Sequence, residues 1–319
     1  MVEILASLDE LSFDGPTPFA TKAWLAAALK ADESARVLVW KDERNLEAQV
    51  VAPFAIDGAG CLKFIGQDKA DLNEVMVKGP AQNHYWAWKE ICEAILAMKE
   101  VKRVCFEKLP ATSPFAAYMA ATLKGALLFR AVGHSRVNAT LVHLKQKDRS
   151  RIKALLAENG KLEIIDAASA SLDEAWRTLD ELAGKMVADK KRRRAFWGER
   201  ERSIVKAMWV AKLAEVALLK DDGGMPKAAA IRFLKDKTAW CWMAFYADGK
   251  YLTELYAKYI AEVAKRGEDW IIDFGSGTYG WKLGTFRPEI CPCVTLRWGR
   301  SWRGRLGDWL RMLVRYARV

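Results

Sequence analysis

"IIDFGSGTYGWKLGTFRP", residues 271–288, holds four glycines, one aspartate and one lysine just past an apolar run. Trp270-Ile271-Ile272 reads as a buried strand, and a chain that leaves it through Gly275, Gly277 and Gly280 turns tightly. Asp273 and Lys282 stand on either side of that turn. Two readings follow. One is a strand-to-strand connection with a solvated charge at each end. The other is a site where backbone approaches a ligand that Asp273 and Lys282 orient.

Upstream of this stretch, strands and helices alternate. "KAWLAAALKA" has helical spacing with Thr21 as N-cap. "ARVLVWKD" and "LEAQVVAPFAID" are strands around a turn at Glu43-Arg44-Asn45, and "CLKFIG" is a third. "NHYWAWKEICEAILAMKE" is a helix whose apolar face is expected to carry Trp86, Ile91, Ile95 and Leu96. "VKRVCFEKLP" is a strand, "SPFAAYMAATLKGA" a short helix, and "SRVNATLVHL" a closing strand. The second half repeats the pattern. The helix "KDRSRIKALLAENG" leads to the strand "KLEIIDAA", and "SLDEAWRTLDELAGKM" opens with a capping signature at Ser171 and Glu174. "ERSIVKAMWVAKLA" is a helix before the strands "EVALLKDD", "KAAAIRFLKD" and "KTAWCWMAFYAD". The helix "LTELYAKYIAEVAKRG" then crosses back to the opening stretch. The expected class is α/β (α+β with mixed sheets), in two domains, 1–146 and 147–319, whose similar element order suggests duplication.

A chain of 319 residues that is 51% apolar and 29% charged can bury a core and is neither disordered nor fibrous. No apolar run is long enough to span a membrane, and the acidic start "MVEILASLDELSFDG" has no signal-peptide character. Cys291-Pro-Cys293 is a lone close pair, and His84, His134 and His143 share no ligand spacing, so no metal is expected. The expected location is the cytoplasm. Net charge +11 with pI near 9.3 favours acidic partners. The excess gathers in "KDRSRIK", "KKRRR" and "RWGRSWRGR", all in the second half.

The order of these motifs resembles the CelD/BcsL-type acetyltransferases, bacterial GNAT-superfamily proteins with two tandem GNAT-like domains. "PFATKAWLAAALK", "LKFIGQDKADLNEVMV" (with Gly66 and Asp71) and "FEKLPATSPF" are similar to segments of that family's first domain. "RSRIKALLAENGKLEI" is similar to the helix opening its second. "DFGSGTYGWKLGTF" is similar to its terminal motif, with Asp273, Phe274, Gly277 and Lys282 on the pattern and Thr278 and Trp281 departing from it. The resemblance implies an N-acyltransferase using acetyl-CoA on an amino sugar or similar amine in cell-surface polysaccharide assembly.

It further implies that Phe245 and Gly249-Lys250-Tyr251-Leu252-Thr253 receive the donor, with pyrophosphate on a helix N-terminus. That turn is short. Direct attack by the amine then needs a group to hold or deprotonate it, for which Asp273 is the candidate, and a proton for the thiolate, for which Tyr246 is. Lys282 would bind an anionic group of the acceptor, as would Arg194 within "KKRRR". Asp71, Asn73, Tyr279 and Trp281 complete the acceptor side. The alternatives are a FemAB-like transferase that takes an aminoacyl group from tRNA, or a degenerate GNAT-like binding protein. "WRGRLGDWLRMLVRYARV" reads as a docked terminal helix or as one lying on an anionic membrane.

Overall fold

β-Branched and aromatic runs become strands because such side chains pack on a pleated surface. The computed structural model describes residues 2–5, 7–11, 13–45, 47–80, 84–168, 172–189, 196–277, 279–301 and 306–307. Ser171, Arg194, Thr278 and most of the segment after Trp302 therefore lie outside the described residues, as does the side chain of Glu174. In order, the elements are β1 (Val2–Leu5), α1 (Lys22–Ala28), β2 (Glu33–Lys41), β3 (Gln49–Asp57), β4 (Cys61–Phe64) and β5 (Met76–Lys78). Next come α2 (His84–Ala97), β6 (Arg103–Pro110), α3 (Pro114–Thr122), β7 (Leu127–Asn138), α4 (Gln146–Ala157), β8 (Lys161–Asp166) and α5 (Leu172–Ala188). The chain continues with α6 (Glu199–Val210), β9 (Ala214–Lys220), β10 (Pro226–Lys235), β11 (Thr238–Tyr246), α7 (Gly249–Ala264), β12 (Ile271–Ser276), α8 (Gly280–Phe286) and β13 (Glu289–Gly299). These fold as two units: Met1–Gly133 with the segment from Cys291, and His134–Ile290.

In the first unit β1 to β4 form an antiparallel meander, with β5 added on β3. Helix α2 carries the chain across so that β6 runs parallel to β4, as a parallel connection requires. Strand β13 then pairs antiparallel with β6. Phe54 stacks on Phe106 at 4.6 Å in the core beneath α2 and α3. The buried face of α2 is Trp88, Ile91, Cys92 and Ile95, whereas Trp86 and Leu96 are exposed. The aromatic that packs is therefore Trp88, in helical register with Ile91 and Ile95; Trp86 falls on the solvent side. Thr21 caps α1 as expected, accepting from the Trp24 amide at 3.3 Å.

Ser113 at the start of α3 accepts from the Ala116 amide and donates to Glu74 Oε1 at 2.9 Å. Burial pushes the Glu74 carboxyl up to about 7, against the pull of Ser113 and the Val75 amide. The folded chain thus holds this proton where the unfolded chain has released it. Its contribution to stability is full below pH 4.5 and is lost as pH rises to about 7. Over that window we expect a loss of about 3 kcal/mol, measurable by urea unfolding at pH 5 and pH 8. Glu74→Gln should remove this part of the difference.

The second unit follows the same plan. Strands β8 to β11 are antiparallel, α7 crosses over, and β12 runs parallel to β11. Residues 134–138 of β7 close this sheet antiparallel to β12. Strand β7, which follows β6 in sequence, thus pairs with β12, and β13, which follows β12, pairs with β6. Helices α4 and α7 cover one face, where Ala217, Ala230 and Ala239 leave room for Leu255, Tyr259 and Ile260. Helices α5 and α6 pack on the other strand faces. Under α7 lies a buried ionic cluster. Glu215 accepts from the Tyr259 hydroxyl and pairs with Arg266 at 2.9 Å. Arg232, fully buried, lies 3.6 Å from the Tyr259 ring centroid and donates to Cys241 Sγ.

Candidate functional site

β11 and β12 pair in parallel over only three residues each, Thr238–Trp240 against Ile271–Asp273. Beyond that point they part, although β11 continues to Tyr246 and β12 to Ser276. The cause is Gly275. Its φ of 71° lies in the left-handed region, and the register of β12 against β7 shifts between Asp273 and Ser276. The glycine-rich exit is thus a bulge in β12, just past the point where its pairing with β11 ends.

Asp273 stands at the last paired position and is fully buried. An ionised carboxylate there needs several partners, and it has them. Its Oδ2 lies 2.5 Å from His134 Nδ1 and accepts from Arg136 Nε at 2.8 Å. Its Oδ1 accepts from the Gly275 amide at 2.8 Å. His134 and Arg136 alternate along β7 and so share a face. Trp240 forms a wall: the His134 ring lies over it at 6.0 Å and 25°, and the Arg136 guanidinium at 5.0 Å. His134 Nε2 has no hydrogen bond from the described residues. The imidazole is therefore held through one nitrogen with the other available for proton exchange.

Lys282 is buried too, so neither end of the turn is a solvated charge. Past Gly277 the chain forms α8, and Lys282 reaches back from it. Its ammonium donates to the Phe274 carbonyl at 2.6 Å and sits 3.5 Å from that of Gly277. The rings of Tyr279 and Trp281 flank it at 5.1 and 5.8 Å. Lys282 thus clamps the bulge beside Asp273. Trp281 packs on Tyr256 and Phe286, whereas Tyr279 is half exposed.

The remaining candidates are spread more widely. Tyr246 ends β11, with its amide on Met186 Sδ at 3.3 Å. Phe245 is in the core against Trp197 at 5.2 Å. Gly249 and Lys250 are exposed at the first turn of α7, Leu252 is buried, and Thr253 Oγ1 donates to the Gly249 carbonyl. Tyr251 lies under the Lys250 ammonium at 4.8 Å. Asp248 caps this helix, its carboxylate accepting from the Lys250 amide at 3.0 Å. Asp71 and Asn73 belong to the first unit. There Asn73 Nδ2 donates to the Glu107 carbonyl at 2.9 Å, and Asp71 faces Lys108 at 4.0 Å. Among the described residues no group of His, Cys, Asp or Glu is placed to hold a metal, and no helix is long and apolar enough to cross a membrane.

No family model matches the chain, and no curated protein matches it in sequence. Solved structures do match in fold. L-PGS from Bacillus licheniformis aligns with TM-score 0.58 at 14% identity, over 96% of this chain and 98% of that one. FemX aligns with TM-score 0.61 at 10% identity, over 92% and 96%. The C-terminal domain of a putative lysylphosphatidylglycerol synthetase from Agrobacterium fabrum aligns with TM-score 0.57 at 15% identity, over 83% of each chain. The fold is α/β in two units, and it is the fold of these structures that the chain shares.

Proposed function

We propose that the chain is an acyltransferase working where β11 and β12 part, with an aminoacyl-tRNA as donor and an amine as acceptor. The observation that supports this most is the Asp273–His134 pair at the base of the parted strands, with His134 Nε2 unused by the protein. As the acceptor amine attacks the ester carbonyl of the donor, His134 takes its proton at Nε2 and then returns it to the departing ribose hydroxyl. Asp273 fixes the imidazole and steadies its charged form. The Arg136 guanidinium, one-third exposed beside the imidazole, meets the oxyanion that develops on the carbonyl. On this reading Asp273 is a positioning residue for His134, and Lys282 holds the bulge in shape.

Acetyl-CoA, the donor that the CelD/BcsL-type resemblance implies, fits the helix start poorly. A pyrophosphate on α7 would meet the Asp248 carboxylate, which already accepts the Lys250 amide. A donor carried on tRNA is what a FemAB-like resemblance implies, and net charge +11 suits a polyanion. An amino sugar or similar amine is the acceptor class we retain.

The test is transfer from labelled aminoacyl-tRNA and, in parallel, from acetyl-CoA to an amino-sugar panel. We expect transfer only from the tRNA donor, with tRNA affinity falling steeply between low and moderate salt. His134→Gln should lower kcat/KM by roughly 10²-fold with tRNA affinity unchanged. Acetyl transfer at comparable rates would overturn the donor, and full activity of His134→Gln would overturn the site.

A further inference from the structure

The second unit holds a cavity of about 450 Å³ between the end of α4, the β9–β10 hairpin and the first two turns of α7. It shares no residue with the Asp273 site. Its size is that of a small-molecule pocket. At its inner end stands Glu254, 6% exposed. Glu254 Oε1 accepts from the Gly160 amide at 3.1 Å, and Lys258 lies 3.7 Å from the same oxygen. The Lys258 ammonium is drawn to the carbonyls of Leu156 and Glu158, at 3.1 and 2.8 Å. Glu254 Oε2 receives no hydrogen bond from the described residues. That oxygen is not sealed in the protein, so a ligand in the cavity can donate to it.

The rest of the lining narrows the ligand. Burial raises the Glu254 carboxyl above its ordinary range, and a cation donating to it would restore the charged form. Glu158 also lines the cavity. Leu219 and Leu155 give an apolar stretch along the wall. One helical turn before Glu254 on the same helix, Lys250 also lines the cavity, its ammonium over the Tyr251 ring. The lining thus offers acceptors for a cation, a cation for an anion, and an apolar wall. Four carboxylates and three ammoniums line the whole, in a chain whose net charge is +11.

We propose that this cavity binds a small zwitterion: a primary amine on Glu254, an apolar linker, and a carboxylate or phosphate near Lys250. The proposal is independent of the acyl-transfer reading. Gly160 is part of the design, since a Cβ there would collide with Glu254 Oε1 and Leu219.

The test is calorimetric titration of the full chain with 6-aminohexanoate, hexylamine and hexanoate. We expect 6-aminohexanoate to bind best, hexylamine more weakly, and hexanoate not at all. Glu254→Gln, which can still accept from Gly160, should weaken both amines by roughly 10-fold or more. Lys250→Met, at an exposed side chain, should abolish the advantage of 6-aminohexanoate over hexylamine and leave hexylamine unaffected. Absence of amine binding, binding of hexanoate as tight as that of hexylamine, or amine affinity unchanged in Glu254→Gln would each overturn the proposal. Unchanged preference in Lys250→Met would overturn its anionic end.

Discussion

Glu215→Leu is expected to destabilise the second unit by roughly 4 kcal/mol, among the largest losses any single substitution here should cause. Glu215 is 1% exposed and is the carboxylate of the cluster under α7. Its removal leaves the Tyr259 hydroxyl without its acceptor, Arg266 without its ion pair, and the fully buried Arg232 without a carboxylate that offsets its charge. Removing Arg232 instead should do far less. Arg232 Nε and Nη2 already have no hydrogen-bond partner, and methionine can occupy much of the same space between Tyr256 and Tyr259. Arg232→Met is therefore expected within about 1 kcal/mol of the parent. The double variant should recover part of the Glu215→Leu loss, because one of the stranded cations is gone. Urea unfolding of the parent and the three variants measures each quantity. A Glu215→Leu chain as stable as the parent would show that the cluster contributes nothing.

Asp273→Leu should cost roughly 3 kcal/mol and abolish transfer together. The loss sits at the low end for a buried ion pair because the Arg136 side chain is 32% exposed and can turn to water. His134 and the Gly275 amide have no such escape. Asp273→Asn separates the two effects. It keeps the size of the side chain and an acceptor for Gly275, so most stability should remain while kcat/KM drops roughly 10²-fold. If Asp273 acts through His134, adding His134→Gln to Asp273→Asn should lower the rate little further. Multiplicative losses in that double variant would mean that the two residues act separately.

The opening stretch shows how far residues alone can carry the site. The run Ile271-Ile272 before a cluster of glycines does mark a strand followed by an irregular exit, and Asp273 and Lys282 do meet at one turn. The partners of Asp273 are out of reach of local pattern, because His134 and Arg136 lie 139 and 137 residues away. His134 also fell outside the expected strand, which begins at Ser135 in that reading. Strand β7 starts at Leu127, and Gly133 breaks the apolar alternation that would have revealed it. Helix α8 was hidden because Gly280 and Gly284 oppose helix by about 1 kcal/mol each. Tertiary packing of Trp281 and Phe286 overrides them. β13 reads in sequence as a cysteine pair running into a basic stretch, since Pro292 and Arg297 interrupt its alternation. Asp248 at the start of α7 is legible in sequence as a helix cap, and it bears on the donor reading proposed above.

The pairing of β13 with β6, and of β7 with β12, bears on how the chain is made. During vectorial synthesis the first 110 residues complete β6, yet its neighbour, Glu289–Gly299, is made some 180 residues later. Until then the outer edge of β6 is open to any other strand. Strand β7 meanwhile waits for β12, made some 130 residues later. Both sheets thus close through contacts of very long range, which slows folding. A chain of this kind depends on protection of its nascent edges, and a protein cut anywhere between β7 and β12 would leave two fragments that must find each other before either is whole.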